Sequence, residues 1–166
     1  MPGSMSILLE AVSSRTPLDL LLKSGRALIC PIYKSTYERR DGPVPVPGKP
    51  PGVWRDHVLL WSKDLGRALD YLETRGDIDS AKLAYAGFSM GAGLAPAMLA
   101  VEKRFKTAIL YSGGFYFRYE LPEVHQLNFA PRVSVPVLML NGHPPREENR
   151  EILDWLDKYL GPVQQN

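Results

Sequence analysis

Cysteine occurs once in the 166 residues, at Cys30, and a lone cysteine excludes an internal disulfide framework. It falls inside the apolar run Ala27–Tyr33, where it reads as a small core residue rather than a nucleophile. Charge of one sign is also scarce. Twenty Lys and Arg face eighteen Asp and Glu, for a net charge of +2, and no basic run carries interleaved aromatics, so a nucleic-acid partner is not expected. The pair Arg39-Arg40 is followed at once by Asp41 and reads as a solvated loop. No apolar run approaches 18 residues, so no transmembrane helix and no membrane partner are expected. Met1–Leu9 lacks the basic start and long apolar stretch of a signal peptide, which leaves the cytoplasm as the expected compartment. No internal repeat is present.

What is there is the composition of an ordinary globular chain: 45% apolar and 23% charged residues. The length fits one domain over 1–166, which buries roughly 70% of its unfolded surface. Thr16 and Pro17 read as the N-cap and first position of a helix that passes through Leu18 and Leu20–Leu22 and stops at Gly25. Ala27–Tyr33 is apolar without alternation, as a strand covered on both faces would be. Asp41–Gly52 holds five prolines and is expected to be an ordered surface loop.

Trp54, Val58, Trp61, Leu65, Leu69 and Leu72 recur at steps of three and four, predicting one amphipathic helix over Val53–Arg75. His57 lies one place off that stripe and reads as a boundary residue. Strands follow at Lys82–Ala86, Thr107–Tyr111 and Val135–Leu140. Helices are expected at Met90–Lys103 and Glu147–Leu160, the latter with Ile152, Trp155, Leu156 and Tyr159 on one face. Phe115–Arg132 reads as irregular and aromatic. This alternation predicts an α/β fold with a mainly parallel sheet.

The segment Gly87-Phe88-Ser89-Met90-Gly91 sits after an apolar strand and before a helix rich in small residues. In that place a Gly-x-Ser-x-Gly pattern predicts a sharp strand-to-helix turn that lifts the Ser89 hydroxyl above the sheet edge. The glycines two places to either side let strand and helix approach. The Met90 N–H, at the positive end of the helix, is placed to hold an oxyanion. A serine needs a base. Of three histidines, His143 follows the carboxyl end of the last strand, the edge where open parallel sheets carry their sites, and is the best candidate. His125 lies in the loop after Thr107–Tyr111.

Gly25-Arg26-Ala27-Leu28, Pro31-x-Tyr33-Lys34-x-Thr36-Tyr37-Glu38-Arg39, Trp61-Ser62-Lys63-Asp64-Leu65-Gly66-Arg67 and Gly87-Phe88-Ser89-Met90-Gly91-Ala92 together resemble the dienelactone-hydrolase-like and acetyl-esterase-like domains of the α/β-hydrolase superfamily. The resemblance covers most of Gly25 to Val137 and again Arg146 to Val163. It implies a shortened three-layer α/β-hydrolase-like sandwich and ester hydrolysis by a serine nucleophile, with no metal or organic cofactor. Pro2-Gly3-Ser4 resembles the turn that supplies a second oxyanion N–H, which places Ser4 or Met5 in that role. His143-Pro144-Pro145-Arg146 resembles the turn that carries the family's histidine.

Two departures accompany the resemblance. The strands that precede the Pro-Gly-Ser turn in the family have no counterpart. Between Gly142 and His143 a strand–helix–strand unit of roughly 30 residues is missing, and with it the triad aspartate. Glu120, Glu123, Glu147 and Glu148 are the carboxylates that could orient a histidine in its place, but each reads more simply as a solvated surface group.

The resulting expectation is a carboxylesterase-like hydrolase of short acyl esters. Ser89 attacks, His143 serves as base and then acid, and Met90 and Ser4 hold the oxyanion. The alternatives are an inactive hydrolase fold kept as an interaction module, and a homo-oligomer that completes an uncovered sheet edge.

Overall fold

Gly25 ends the first described helix, α1 (Asp19–Lys23), by taking φ +83°. There the Arg26 N–H reaches back to the Leu21 carbonyl at 3.1 Å and the Gly25 N–H to Leu22 at 3.0 Å, the bonds that satisfy a helix's last carbonyls. The computed structural model of the chain describes residues 19–42, 46–47, 49–115, 120–142 and 145–163. The expected cap at Thr16 and Pro17 lies outside them.

Ala27–Tyr33 is not a strand. The segment runs without ladder pairing, Cys30 is exposed, and Ile29 is exposed as well. Apolar character alone does not make a parallel strand; a neighbour must supply the ladder, and Pro31 has no N–H to contribute. Only Tyr33, at the end of the run, enters the core.

The long helix α2 (Pro51–Glu73) begins two residues earlier than its periodicity suggested, because Pro51 occupies the first helical position. Trp54, Val58, Trp61, Leu65 and Leu69 are all buried, as the stripe predicts. The indoles of Trp54 and Trp61 meet edge-on with centroids 5.6 Å apart. The loop from Lys34 to Arg40 is fastened to this helix. Asp64 Oδ2 accepts from the Lys34 N–H at 2.8 Å, Trp61 Nε1 donates to the Lys34 carbonyl at 2.8 Å, and Arg39 pairs with Asp64.

Among the described residues three strands follow, β1 (Leu83–Phe88), β2 (Phe105–Tyr111) and β3 (Val137–Leu140), all parallel and in the order β1-β2-β3. Parallel neighbours need crossover connections, and these are α3 (Met90–Val101) and the segment containing the short α4 (Gln126–Phe129). Thus Phe115–Arg132, expected to be irregular, holds one turn of helix and a 3₁₀ turn at Ala130–Arg132. The final helix is α5 (Pro145–Leu160), closed by Gly161 at φ +81°.

Side-chain alternation along β2 divides the core. Ala108 and Leu110 point to the side of α2 and α3, joining Trp54, Trp61, Leu94 and Met98. Ile109 and Tyr111 point to the other side, joining Ile152 and Leu156 of α5. A sheet buried on both faces by helices is the expected arrangement for all-parallel strands. The fold is therefore α/β with a parallel sheet between helical layers.

Candidate active site

The register of the sheet aligns the chemistry at one edge. Phe88 of β1 stands beside Tyr111 of β2, and Tyr111 beside Leu140 of β3. The next residue in each strand, Ser89, Ser112 and Asn141, therefore lies at the carboxyl edge, where open parallel sheets place ligands. The Ser89 N–H donates to the Tyr111 carbonyl at 2.9 Å, and the Ser112 N–H to the Leu140 carbonyl at 3.0 Å. Asn141 Oδ1 accepts from the Gly113 N–H at 3.1 Å, tying the ends of β2 and β3 together.

Ser89 is the hinge between β1 and α3. Its backbone sits at φ 48°, ψ −110°, a conformation that a residue with a Cβ adopts only where the surroundings impose it. Its carbonyl already accepts from the Gly93 N–H at 2.9 Å, so the helix begins immediately. A serine at an N-cap ordinarily folds its hydroxyl back onto the first turn. Here it does not, and the half-buried side chain leaves the Met90 N–H at the helix's positive end without that cap.

The glycines explain how so tight a turn closes. A Cβ on Gly87 would stand 2.8 Å from the Gly91 carbonyl carbon and oxygen and 2.9 Å from the Ala92 nitrogen. These are backbone atoms, so no side chain can move aside. Gly113 plays the same part from β2: its Cβ would stand 2.7 Å from the Ala92 Cβ. Strand, turn and helix thus meet at contact distance around Gly87, Gly113 and the Gly91–Ala92 backbone.

Two buried side chains then fix α3 against the sheet. Tyr85 Oη donates to the Gly91 carbonyl at 2.7 Å, and Gln126 Nε2 donates to the Gly93 carbonyl at 2.6 Å. Sequence reasoning missed both. Tyr85 carries a signal, being on the α3 side of β1 with Leu83 and Gly87 by strand alternation. Gln126 carries none, since a glutamine in an irregular segment reads as solvated.

The predicted partners of Ser89 are distributed unevenly. His143 and Ser4 lie outside the described residues. Met90 is where it was expected, first residue of α3. His57 is confirmed as a half-buried boundary residue: Nδ1 bonds the Val53 carbonyl at 2.8 Å and Nε2 the Ser35 hydroxyl at 3.1 Å. Both ring nitrogens are engaged away from Ser89. His125 caps α4, with Nδ1 accepting from the Leu127 N–H at 3.3 Å.

The carboxylates divide as well. Glu123 is exposed, as expected. Glu120 is not the solvated group its surroundings in the sequence suggest; it is 4% exposed. Neither of its oxygens, nor the buried Trp54 Nε1, reaches hydrogen-bond geometry with a described residue. Burial pushes the Glu120 carboxyl above the ordinary range, while the nearby Trp54 N–H, His125 and the Gln126 N–H oppose that rise. The side chains of Glu147 and Glu148 are outside the described residues. Of the aromatic cluster after β2, Phe115 is exposed and Tyr116–Tyr119 are outside the described residues.

No grouping of histidine, cysteine and carboxylates able to hold a metal ion occurs among the described residues. No described helix is long and apolar enough to cross a membrane. No protein-family model, curated protein or solved structure matches the chain.

Proposed function

We propose that the chain is a serine hydrolase of the α/β-hydrolase type, cleaving short acyl esters through an acyl-enzyme on Ser89. The observation that carries this reading is the backbone of Ser89 itself. A non-glycine residue is held at φ 48°, ψ −110° between a parallel strand and a helix, with its hydroxyl withheld from the cap it would otherwise make. Strain of this kind costs about 1–3 kcal/mol, and an elbow that presents a nucleophile is a use for it.

The chemistry follows from the placement. The Ser89 hydroxyl attacks the ester carbonyl, and the Met90 N–H with the α3 dipole stabilises the charge that develops on the carbonyl oxygen. A single such donor contributes about 3 kcal/mol to the transition state. The alcohol leaves with the proton taken from serine, and water attacks the acyl-enzyme in the reverse sense. His143 is proposed as the base. Its sequence neighbours Asn141 and Gly142 continue β3 at the same edge as Ser89, two strand spacings or about 10 Å away by sheet geometry, a gap that a histidine on a short loop can span. Ser4 is proposed as the second oxyanion donor. Exposed Phe88, the residue before Ser89, supplies apolar surface at the elbow.

A second reading, a hydrolase fold without turnover that serves as an interaction module, is favoured by the engagement of His57 and by the capping role of His125. Without an oriented base the hydroxyl is a weak nucleophile, and in triads loss of the orienting acid alone lowers kcat by about 10⁴. The two readings separate with a fluorophosphonate probe. The hydrolase labels on Ser89 and the Ser89→Ala variant does not. Turnover of p-nitrophenyl acetate then falls at least a hundredfold in His143→Ala and is unchanged in His57→Ala. Absence of labelling, or labelling that survives Ser89→Ala, removes the hydrolase reading.

A further inference from the structure

Among the described residues, the non-glycine residues held at positive φ are Ser35, Tyr37, Ser89 and Ser112. Two of them gain local contacts in return. Ser35 is buried with its hydroxyl on His57 Nε2 at 3.1 Å, and Tyr37 is buried beside it in the same loop. Ser89 is the elbow. Ser112, at φ 47°, is exposed, and its hydroxyl meets no hydrogen-bond partner among the described residues. Strain without a local contact marks a side chain held for something outside the chain.

The place of Ser112 in the sheet says what that is. It follows β2 as Ser89 follows β1, and the two strands stay in register to their last pair, Phe88 and Tyr111. The Ser89 N–H donates to the Tyr111 carbonyl, the atom next to Ser112 in the chain. The two serines thus stand side by side at the carboxyl edge, about one strand spacing or 4.8 Å apart. On its other side the Ser112 N–H is held by the Leu140 carbonyl. The next residue, Gly113, is held by Asn141 Oδ1 and lies against Ala92 at the start of α3. Ser112 is therefore fixed relative to the elbow from both neighbouring strands.

The strand order is β1-β2-β3, and His143 follows β3 by three residues. Ser112 accordingly lies between the nucleophile and the strand that leads to the proposed base. One base gives its proton to the departing alcohol and takes one from the incoming water, so both pass on the base's side of the acyl group. That side is over the end of β2. We propose that Ser112 is a positioning residue for the hydrolytic water, an inference that rests on the reading of Ser89 as nucleophile and His143 as base. In deacylation the water oxygen bonds to the acyl carbon. One of its hydrogens goes to His143, and the other is donated to Ser112 Oγ, which turns a water lone pair toward the carbon. The bond from the acyl carbon to Ser89 Oγ then breaks, the acid leaves, and His143 returns the proton to Ser89.

Ser112→Ala and Ser112→Gly both remove the hydroxyl, and glycine also relaxes the backbone. After a pulse of p-nitrophenyl acetate, the burst of nitrophenolate reads acylation, and loss of the acyl mass from the chain reads deacylation. Both variants should acylate within about twofold of the parent rate and deacylate about tenfold more slowly, the effect of one hydrogen bond to the reacting water. In aqueous methanol the attacking alcohol gives its single hydrogen to the base and has none for Ser112. The ratio of methyl ester to acid should therefore rise about tenfold in both variants. A loop that is merely loosened would slow both steps alike and leave this ratio unchanged. Equal slowing of the two steps, an unchanged product ratio, or a glycine variant that behaves like the parent overturns the role of Ser112. Failure of the underlying reading looks different. A chain that a fluorophosphonate does not label on Ser89 loses the hydrolase reading and this inference together. A labelled chain whose two variants deacylate at the parent rate loses this inference alone.

Discussion

The phenol of Tyr85, on β1, donates to the carbonyl of Gly91, on the first turn of α3, at 2.7 Å. The bond crosses the elbow from beneath and holds the helix at a fixed height above the strand. Tyr85→Phe keeps the ring, its edge-on contact with Phe105 and nearly all its volume, and removes only the donor. The expected loss is about 1 kcal/mol of stability in urea unfolding. If Ser89 is the nucleophile, the same variant should lower its rate of fluorophosphonate labelling without abolishing it.

Two glycines in contact with α3 should respond differently to the same compensating change. Gly113→Ala drives its new methyl into the Ala92 methyl, so Ala92→Gly in the same chain should restore most of the stability lost. Gly87→Ala meets the Gly91 and Ala92 backbone, and no side-chain deletion can relieve it. Each single substitution should cost about 1–3 kcal/mol. Thermal melts of the two double variants decide the matter: rescue of both, or of neither, contradicts the geometry.

Strain at Ser89 predicts a gain rather than a loss. Glycine adopts positive φ freely, whereas alanine retains the Cβ that makes this conformation costly. Ser89→Gly should therefore be more stable than Ser89→Ala by about 1 kcal/mol, although both lack the hydroxyl. Equal stability of the two in denaturant would mean that the elbow is relaxed.

Glu120 should make stability fall as pH rises. Its folded-state pKa lies above the unfolded one, chiefly because burial penalises the anion. Between those two values the unfolded chain has released a proton that the folded chain still holds, so unfolding becomes easier with increasing pH. The contribution is complete below the ordinary glutamate range and declines as pH passes upward through it. Glu120→Gln, which cannot ionise, should remove that part of the decline. Its advantage over the parent chain should widen from acidic toward neutral pH, and a constant difference across the range would argue against an ionising Glu120.

Much of the architecture was legible in the chain because it depends on local periodicity. The stripe from Trp54 to Leu69, the small-residue start of α3 and the Gly25 and Gly161 stops are each dictated by which faces must be buried or which φ a residue tolerates. Ala27–Tyr33 failed for the opposite reason. Its composition suits a strand, but a parallel strand exists only through its neighbour, and the segment has no ladder partner among the described residues. Glu120 failed similarly, since a carboxylate's burial depends on what folds over it.

By itself, then, the sequence determined the alternation of strand and helix and the position of Ser89 at a turn that only glycine-flanked residues can make, because both follow from backbone sterics over a few residues. Tertiary structure alone decided that Tyr85 and Gln126 hold the first carbonyls of α3 and that His57 is spent on Ser35 and Val53. It also decided that Cys30 faces outward and Glu120 inward. These are contacts between segments far apart in the chain, set by how the layers pack.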